Sequence, residues 1–487
     1  MKTNSLDFDA QALREKILDL AMRGKLVKQD PNGEPASVLL EKIKSEKAEL
    51  VKEGKIKKSK ALPEITDDEK PFDIPDSWEW VRLGDVTNIV MGQAPKGTTV
   101  NEVGEGTEFH QGKTEFTDKI IGRSVKYTTS DNKIIDDEYI LMAVRAPVGD
   151  VNLLNRKISI GRGLAGIRPY VSNKEYIFYY LDSIKDYYEA NSTGSTFKAI
   201  NGNTIKNTPL PLPPLEEQSR IAVKIAQLFA LLRKVESSTQ QYAKLQTLLK
   251  SKVLDLAMRG KLVKQDPNDE PASVLLEKIK AEKEQLIKEK KIKKSKPLPP
   301  IKDDEKPFDI PDSWEWVRLG DVGLIATGNT PTKNNSDFYG GTTPFIKPAD
   351  IQNLIINYDT KDFLSEKGEQ KGRLAYKNDI LVTCIGNLGR NNIINRKVAY
   401  NQQINGISPL IVSSSLLHYF MLSSFFISSM YNYASATTLP ILNKTKLSNL
   451  IIPLPPLAEQ SRIVDKIEMI FCLFCKDKSS TQQYENL

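Results

Sequence analysis

Residues 19–86 recur as residues 255–322 at a constant offset of 236, and 59 of the 68 aligned positions are identical. A second block recurs at an offset of 242. It runs from Pro211-Leu212-Pro213-Pro214-Leu215 through Glu217-Gln218-Ser219-Arg220-Ile221 to Tyr242, and its copy runs from Pro453 to Tyr484. The long stretches between the paired blocks barely resemble each other. A chain that keeps two surfaces alike while two others diverge is built to meet one kind of partner twice and two different targets once each. On these offsets Leu487 aligns with Leu245 and Ala10 with Gln246, so the repeat reads as cyclic. The helices at the two termini would together rebuild what residues 215–262 supply unbroken. The expectation is a pseudo-twofold, ring-like arrangement with neighbouring termini.

Apolar residues along residues 215–262 alternate spacings of four and three: Ile221, Ile225, Leu228, Leu232, Val235, then Tyr242, Leu249, Val253 and Leu256, with Thr239 and Gln246 as polar exceptions. That is a coiled-coil seam, on a helix roughly 70 Å long. Ile463, Ile467, Ile470 and Phe474 repeat the frame, and Leu13, Ile17 and Leu20 continue it near the N-terminus. Gly24 and Gly260 stand where left-handed helix ends are expected. Each is followed by a turn and a second helix, the first copy running from about Pro35 to Lys58. Lys55, Lys57, Lys58 and Lys60, and the richer run from Lys288 to Lys296, have the charge to meet phosphates, but a solvated helix end leading into a linker is the favoured reading. Proline-rich tracts precede Trp78 and Trp80, and again Trp314 and Trp316, which read as anchoring core residues.

The divergent regions, roughly 87–209 and 323–452, hold short β-branched runs such as Tyr139–Val144 and Asp379–Thr383, with one aromatic-rich helical stretch each (175–189 and 414–431). Both read as compact α/β domains, entering the long helices through stiff Pro-Leu-Pro-Pro-Leu connectors.

A hydrophobic content of 39% and a charged content of 27% describe a globular chain. A net charge of +7 favours a polyanionic partner only mildly. Three cysteines suit a reducing cytosol, and neither a signal peptide nor a membrane span is evident. The reading is a soluble cytoplasmic protein.

Chemistry is sparse. The two histidines, His110 and His418, lie in different divergent regions, so no His-based nucleophile or metal site is repeated. Cys472-Leu-Phe-Cys475 has redox spacing, but its repeat equivalents are Ala230 and Arg233 in mid-helix. Gly161-Arg-Gly163-Leu-Ala-Gly166 matches a dinucleotide fingerprint, yet Pro169 falls where the phosphate-binding helix should grow. Gly106 to Gly112-Lys113-Thr114 misses the phosphate-loop spacing by one residue. No Asn-Pro-Pro-Tyr motif for amino-methyl transfer occurs. These absences argue against an autonomous nuclease or methyltransferase.

Charge placement says more. From Ile380 to Ala458 there is no Asp or Glu, while Arg390, Arg396, Lys397, Lys444 and Lys446 are present. Residues 190–215 also lack acids and carry Lys198 and Lys206. Hydroxyls, amides and cations without carboxylates suit phosphate contact and base-edge hydrogen bonding. Candidate DNA contacts are Lys113, Arg145, Arg162, Ser195, Thr196, Lys198 and Asn201 in the first region. Those in the second are Lys347, Arg390, Gln402, Thr437, Thr438, Asn443 and Lys444. The first set is less marked, because residues 87–208 hold 15 basic and 14 acidic residues.

The chain resembles, over essentially its whole length, the specificity subunit of type I restriction–modification enzymes. The resemblance rests on Leu-Pro-Leu-Pro-Pro-Leu-Glu-Glu-Gln at 210–218, Ile-Pro-Asp-Ser-Trp-Glu-Trp-Val-Arg-Leu-Gly at 74–84, Val144-Arg145-Ala146-Pro147-Val148-Gly149-Asp150, and Gly340-Gly341-x-x-Pro344-Phe345-Ile346-Lys347. It implies an α+β fold in which two α/β target-recognition domains are joined by long antiparallel coiled-coil helices in a cyclic pseudo-twofold arrangement. The expected divisions are residues 1–70 (helical, completing the C-terminal helix), 71–214 (first target-recognition domain), 215–306 (central helical spacer), 307–456 (second target-recognition domain) and 457–487 (C-terminal helix). The resemblance further implies that each domain reads half of a bipartite site in double-stranded DNA. The repeats would space the domains and dock two methyltransferase subunits, with endonuclease/translocase subunits joining. S-adenosylmethionine, ATP and magnesium would be bound by those partners and none by this non-catalytic chain. A coiled-coil assembly scaffold that does not bind DNA is the competing reading.

Overall fold

A computed structural model describes residues 9–58, 60–194, 198–352, 355–435 and 439–481, with side chains as far as Leu473. The chain divides into two compact units, one covering Asp7–Thr239 and the other Gln240–Leu487. The fold is α+β: each unit holds sheets, and one helix of 44 residues, Leu215–Met258, follows the first sheet-containing region and precedes the second along the chain.

In the first unit the helix Ala10–Met22 opens on Asp9, whose side chain accepts from the backbone N of Ala12. It closes at Gly24, where φ is +68° and the backbone N of Lys25 donates to Leu20 O. This helix runs antiparallel to the first half of the long helix. Arg14 forks onto Glu236 near one end, and Gln29, just past the other, donates to Glu217 at 2.5 Å. Between those polar ends Leu18, Ala21 and Met22 share a core with Ile221 and Ile225. Burying each large side chain there stabilises the pairing by about 1.5–3 kcal/mol.

The second unit repeats the device with the second half of the long helix and the helix Leu457–Thr481. Val253, Leu254 and Met258 share a core with Ile463 and Ile467. The Lys250 ammonium lies 5.7 Å above the Phe471 ring, and Gln265 donates to Glu459 at 2.6 Å. The expected seam is buried at both ends of the long helix but not at its middle. Val235, Tyr242 and Leu249 are exposed, while the polar Gln246 is buried.

The second repeat helices are shorter than the sequence suggests: Ala36–Lys52 and Ala272–Lys288. Each unwinds through a left-handed residue, Gly54 at φ +69° and Lys290 at φ +59°. Apart from Lys288, the last residue of its helix, the lysine runs therefore lie beyond the helices, and Lys55 and Lys291 pair with Glu53 and Glu289. Trp78 and Trp314 are buried; Trp80 and Trp316 are half-buried against Phe72 and Phe308. Arg82, also buried, forks onto Glu69 and donates to the carbonyls of Pro63, Glu64 and Asn207. Arg318 repeats the contacts with the carbonyls of Pro299, Pro300 and Asn449 and reaches both carboxylate oxygens of Glu305 through Nη2 alone.

The divergent regions share a topology that their sequences conceal. In the first unit an antiparallel sheet runs in the order Thr87–Met91, Leu164–Pro169, Ile140–Ala143, Val151–Leu153. Its counterpart runs Gly323–Thr327, Ile404–Pro409, Ile380–Thr383, Asn391–Ile393. A second sheet in each contains one parallel pair: Phe109 beside Ser159, and Phe345 beside Ala399. A two-stranded antiparallel ribbon, Glu79–Arg82 with Pro209–Leu212 or Glu315–Arg318 with Ile451–Leu454, ties each domain to its connector. Each aromatic stretch forms two helices rather than one, Lys174–Ser183 with Lys185–Ala190 and Ser414–Met421 with Ser424–Tyr433. In the second pair Ser423 makes the break by capping the new helix at the backbone N of Phe426.

Glu108 anchors the first domain's second sheet. Buried on the strand Thr107–His110, it takes a fork from Arg156 (2.6 and 2.8 Å), the backbone N of Ser124 (2.8 Å) and Arg123 (3.0 Å), with His110 Nε2 at 3.0 Å. Burial alone would raise its carboxyl, but these hydrogen bonds outweigh burial and hold it well below the ordinary carboxylate range. A depressed folded value means that the stabilisation is complete above the ordinary range and drains away as pH falls toward the folded value. Glu108→Gln should lower the stability of the first unit by about 3–5 kcal/mol at neutral pH. The gap from wild type should narrow at about pH 3, as read by denaturant unfolding at the two pH values. Gly260 has φ +66°, and a Cβ there would sit 2.4 Å from Pro311 Cγ. Gly260→Ala should therefore cost about 1–3 kcal/mol, read as a lower thermal midpoint.

Candidate nucleic-acid interface

At one rim of the first domain, three loops meet through their backbones. The turn Gly161-Arg162-Gly163 follows the strand Ile158–Ile160, and Gly161 N donates to His110 O at 2.8 Å. Val144 N donates to Gly163 O at 2.9 Å, which brings the Arg145 loop alongside. Arg145 in turn bridges to Ala199, and Ala146 N donates to Lys198 O at 2.9 Å. Arg145, Arg162 and Lys198 are thus gathered on one rim, all exposed and without a side-chain partner among the described residues. The sequence run Gly161–Gly166 is a turn entering the strand Leu164–Pro169, so no helix N-terminus stands there to receive a phosphate.

Two other first-domain candidates have structural work. Lys113 pairs with Asp150 at 2.5 Å, and Lys185 shares that carboxylate. Burial pushes Asp150 up, but the two lysines outweigh it and lower it. Asn201 caps the short helix Gly202–Lys206, its side chain accepting from the backbone N of Asn203 and Thr204. Ser195 and Thr196 lie outside the described residues.

The second domain builds the same rim from different residues. Gln402 holds the position of Arg162: Asn401 N donates to Ile346 O, and Cys384 N donates to Gln403 O. Ile385 bridges to Ile441 where Arg145 bridges to Ala199. Lys444 is exposed and Arg390 half-buried, each without a side-chain partner among the described residues. Asn443 is the helix cap equivalent to Asn201, accepting from the backbone N of Lys446. Lys347 is committed to Asp362 at 2.6 Å, and the lysine holds that carboxyl below its ordinary value. Thr437 and Thr438 lie outside the described residues.

Sequence reasoning passed over Gln111, Gln93 and Thr330. Gln111 occupies the backbone place of Lys347, because both follow the strand of the parallel pair. Gln93 reaches the rim through its backbone N on Ile160 O, and Thr330 through its hydroxyl on Gln402 Oε1 at 2.6 Å. Only structural alignment of the two rims could have found them, since the flanking sequences differ.

Among the described residues the second domain's one histidine and its cysteine are both buried. Cys384 is buried, its thiol pushed up to about 12 by that burial. His418 is buried against Asn391 at 2.7 Å and pushed down to about 4 by burial. Cys472 is exposed on its helix, and the side chain of Cys475 lies outside the described residues. Among the described residues no cluster of potential metal ligands occurs, and no helix is long and apolar enough to cross a membrane.

Residues 75–246 and 311–472 match the family model of the type I restriction modification DNA specificity domain. The chain is 34% identical to the type I restriction enzyme EcoAI specificity subunit of Escherichia coli, with 95% of this chain and 89% of that one aligned. It is 31% identical to the EcoEI specificity subunit of the same organism, over 98% and 91%. Two solved structures share the fold. One is from a study of complex assembly and conformational transition of the type I R-M system (TM-score 0.58, 23% identity, covering 85% of this chain and 95% of that one). The other is the HsdS subunit from Thermoanaerobacter tengcongensis (TM-score 0.51, 21% identity, covering 84% and 93%). With both halves matched and relatives aligned nearly end to end, the chain belongs to the type I restriction–modification specificity subunits.

Proposed function

We propose that this chain supplies the DNA sequence specificity of a type I restriction–modification complex without catalysing a reaction itself. Each sheet-containing domain reads one half of a bipartite site in double-stranded DNA through its rim. The duplicated helices and proline-rich tracts dock two copies of a methyltransferase subunit and set the gap between half-sites. Endonuclease/translocase subunits join that core, and S-adenosylmethionine, ATP and magnesium belong to the partners.

One observation carries this reading: the two rims share a backbone and differ in side chains, while the frames beneath them share both. Arg145, Arg162 and Lys198 correspond to Ile385, Gln402 and Pro440 at the positions the loop hydrogen bonds make equivalent. By contrast Trp78, Arg82, Gln29 and Glu217 recur as Trp314, Arg318, Gln265 and Glu459, with the same partners. A scaffold with no nucleic-acid role would have no use for two rims so differently equipped, and the family match names DNA specificity.

If the rims and their surroundings meet phosphates, affinity should fall by about a thousandfold or more between roughly 50 and 200 mM salt. Filter binding or anisotropy with the chain assembled on its methyltransferase reads this, and a flat salt dependence counts against it. Exchanging residues 323–452 for those of another family member should change one half of the recognised site and leave the other intact. Altered recognition in both halves would end the modular reading. Adding about one helical turn near residues 237–242 should change the gap between half-sites; an unchanged gap would remove the spacer role.

A further inference from the structure

The turn tips at residues 162 and 402 are held by the same five backbone hydrogen bonds. In the first domain these run from Gly161 N to His110 O (2.8 Å), Leu164 N to Gly161 O (3.0 Å), Val144 N to Gly163 O (2.9 Å), Gly92 N to Leu164 O (2.9 Å) and Gln93 N to Ile160 O (3.0 Å). In the second they run from Asn401 N to Ile346 O (3.2 Å), Ile404 N to Asn401 O (3.1 Å), Cys384 N to Gln403 O (2.9 Å), Gly328 N to Ile404 O (3.0 Å) and Asn329 N to Tyr400 O (3.1 Å). The glycines beneath the tips are required by space. A Cβ on Gly92 would stand 2.1 Å from Gly161 O, and one on Gly328 would stand 2.1 Å from Asn401 O. Backbone geometry is therefore fixed twice and alike, and the exposed residue at the tip is what differs.

The two tip residues are Arg162 and Gln402. These side-chain types have different bidentate partners in the major groove: a guanidinium fork donates to O6 and N7 of guanine, and a carboxamide exchanges two hydrogen bonds with N6 and N7 of adenine. Gln402 is pre-oriented, since Thr330 Oγ1 donates to its Oε1 at 2.6 Å. That leaves the second lone pair of Oε1 and both Nε2 protons available. Arg162 has no side-chain partner among the described residues, so its whole fork is free.

Resting on the reading of the rims as the DNA-facing edges, we propose that Arg162 and Gln402 are equivalent specificity-determining residues, Arg162 selecting a guanine in one half-site and Gln402 an adenine in the other. The full chain assembled with its methyltransferase would be used to select bound sequences from DNA randomised over both half-sites. Wild type should give a bipartite consensus. Arg162→Gln should lower guanine preference at one position of one half by about 5- to 150-fold, move it toward adenine, and leave the other half unchanged. Gln402→Arg should do the converse in the other half. Arg162→Lys keeps the charge but loses the planar fork, so it should weaken the guanine preference while keeping the wild-type salt slope. An unchanged consensus with uniformly weaker binding and a shallower salt slope would make residue 162 a phosphate contact and overturn the proposal. A wild-type chain that selects no consensus would overturn the DNA-reading function itself, a result separable from failure of the variants alone. Circular dichroism of each variant checks that the exposed tip has left the fold intact.

Discussion

Two consecutive side chains at the start of each connector helix hold the molecule's frame and its readers together. Glu217 is buried and accepts from the indole N of Trp78 at 3.1 Å and from Gln29 at 2.5 Å, joining three segments far apart in the chain. Its neighbour Gln218 turns the other way, donating to Pro213 O and accepting from the backbone N of Asn173 in the divergent domain. Glu459 and Gln460 repeat both arrangements with Trp314, Gln265, Pro455 and Ser413. Burial raises both glutamates, with the tryptophan and glutamine donors offsetting only part of the effect. A raised folded value means that these carboxylates weaken the fold as pH climbs through the ordinary carboxylate range. What they provide in exchange is direction: a carboxylate with two fixed donors sets where strap, helix and domain meet more narrowly than apolar packing would.

Because that joint is the same in both copies, the domains it carries can vary without disturbing it. Tyr176 and Tyr180 donate to the carbonyls of Pro211 and Pro209, locking the first connector strand. The second domain has Leu416 and Phe420 near the corresponding place, filling a core with no hydroxyl to offer. Different chemistry supports the same ribbon. Likewise Asp150, held by two lysines, stands where the second domain has Arg390, a reversal of charge on unchanged strand order.

Much of the frame was legible in the sequence because repetition needs no propensity scale. Identical blocks must make identical local structure, and the glycine caps, buried tryptophans and long helix all appear where the repeats place them. The common topology of the divergent regions was not legible. Their strands are as short as two residues, as at Tyr127–Thr128, and alternation cannot be read over so short a run. The expected seam failed at Val235, Tyr242 and Leu249 because heptad spacing marks which face is apolar, not how far along it a partner helix lies. Among the candidate contacts, charge alone could not separate free cations from committed ones. Arg145 and Arg162 are free among the described residues, whereas Lys113 and Lys347 are bound to carboxylates 37 and 15 residues away. Asn201 and Asn443 matched each other in sequence for a local reason, since both cap a helix.

The central claim is that two interchangeable readers sit on one repeated frame. Replacing the first divergent region with a second copy of the other, while both repeats stay in place, tests it most directly. Methylation mapping or sequence selection on the assembled complex should return a target made of the second half-site twice. A target that still contains the original first half-site, from a complex that remains folded and active, would contradict the account.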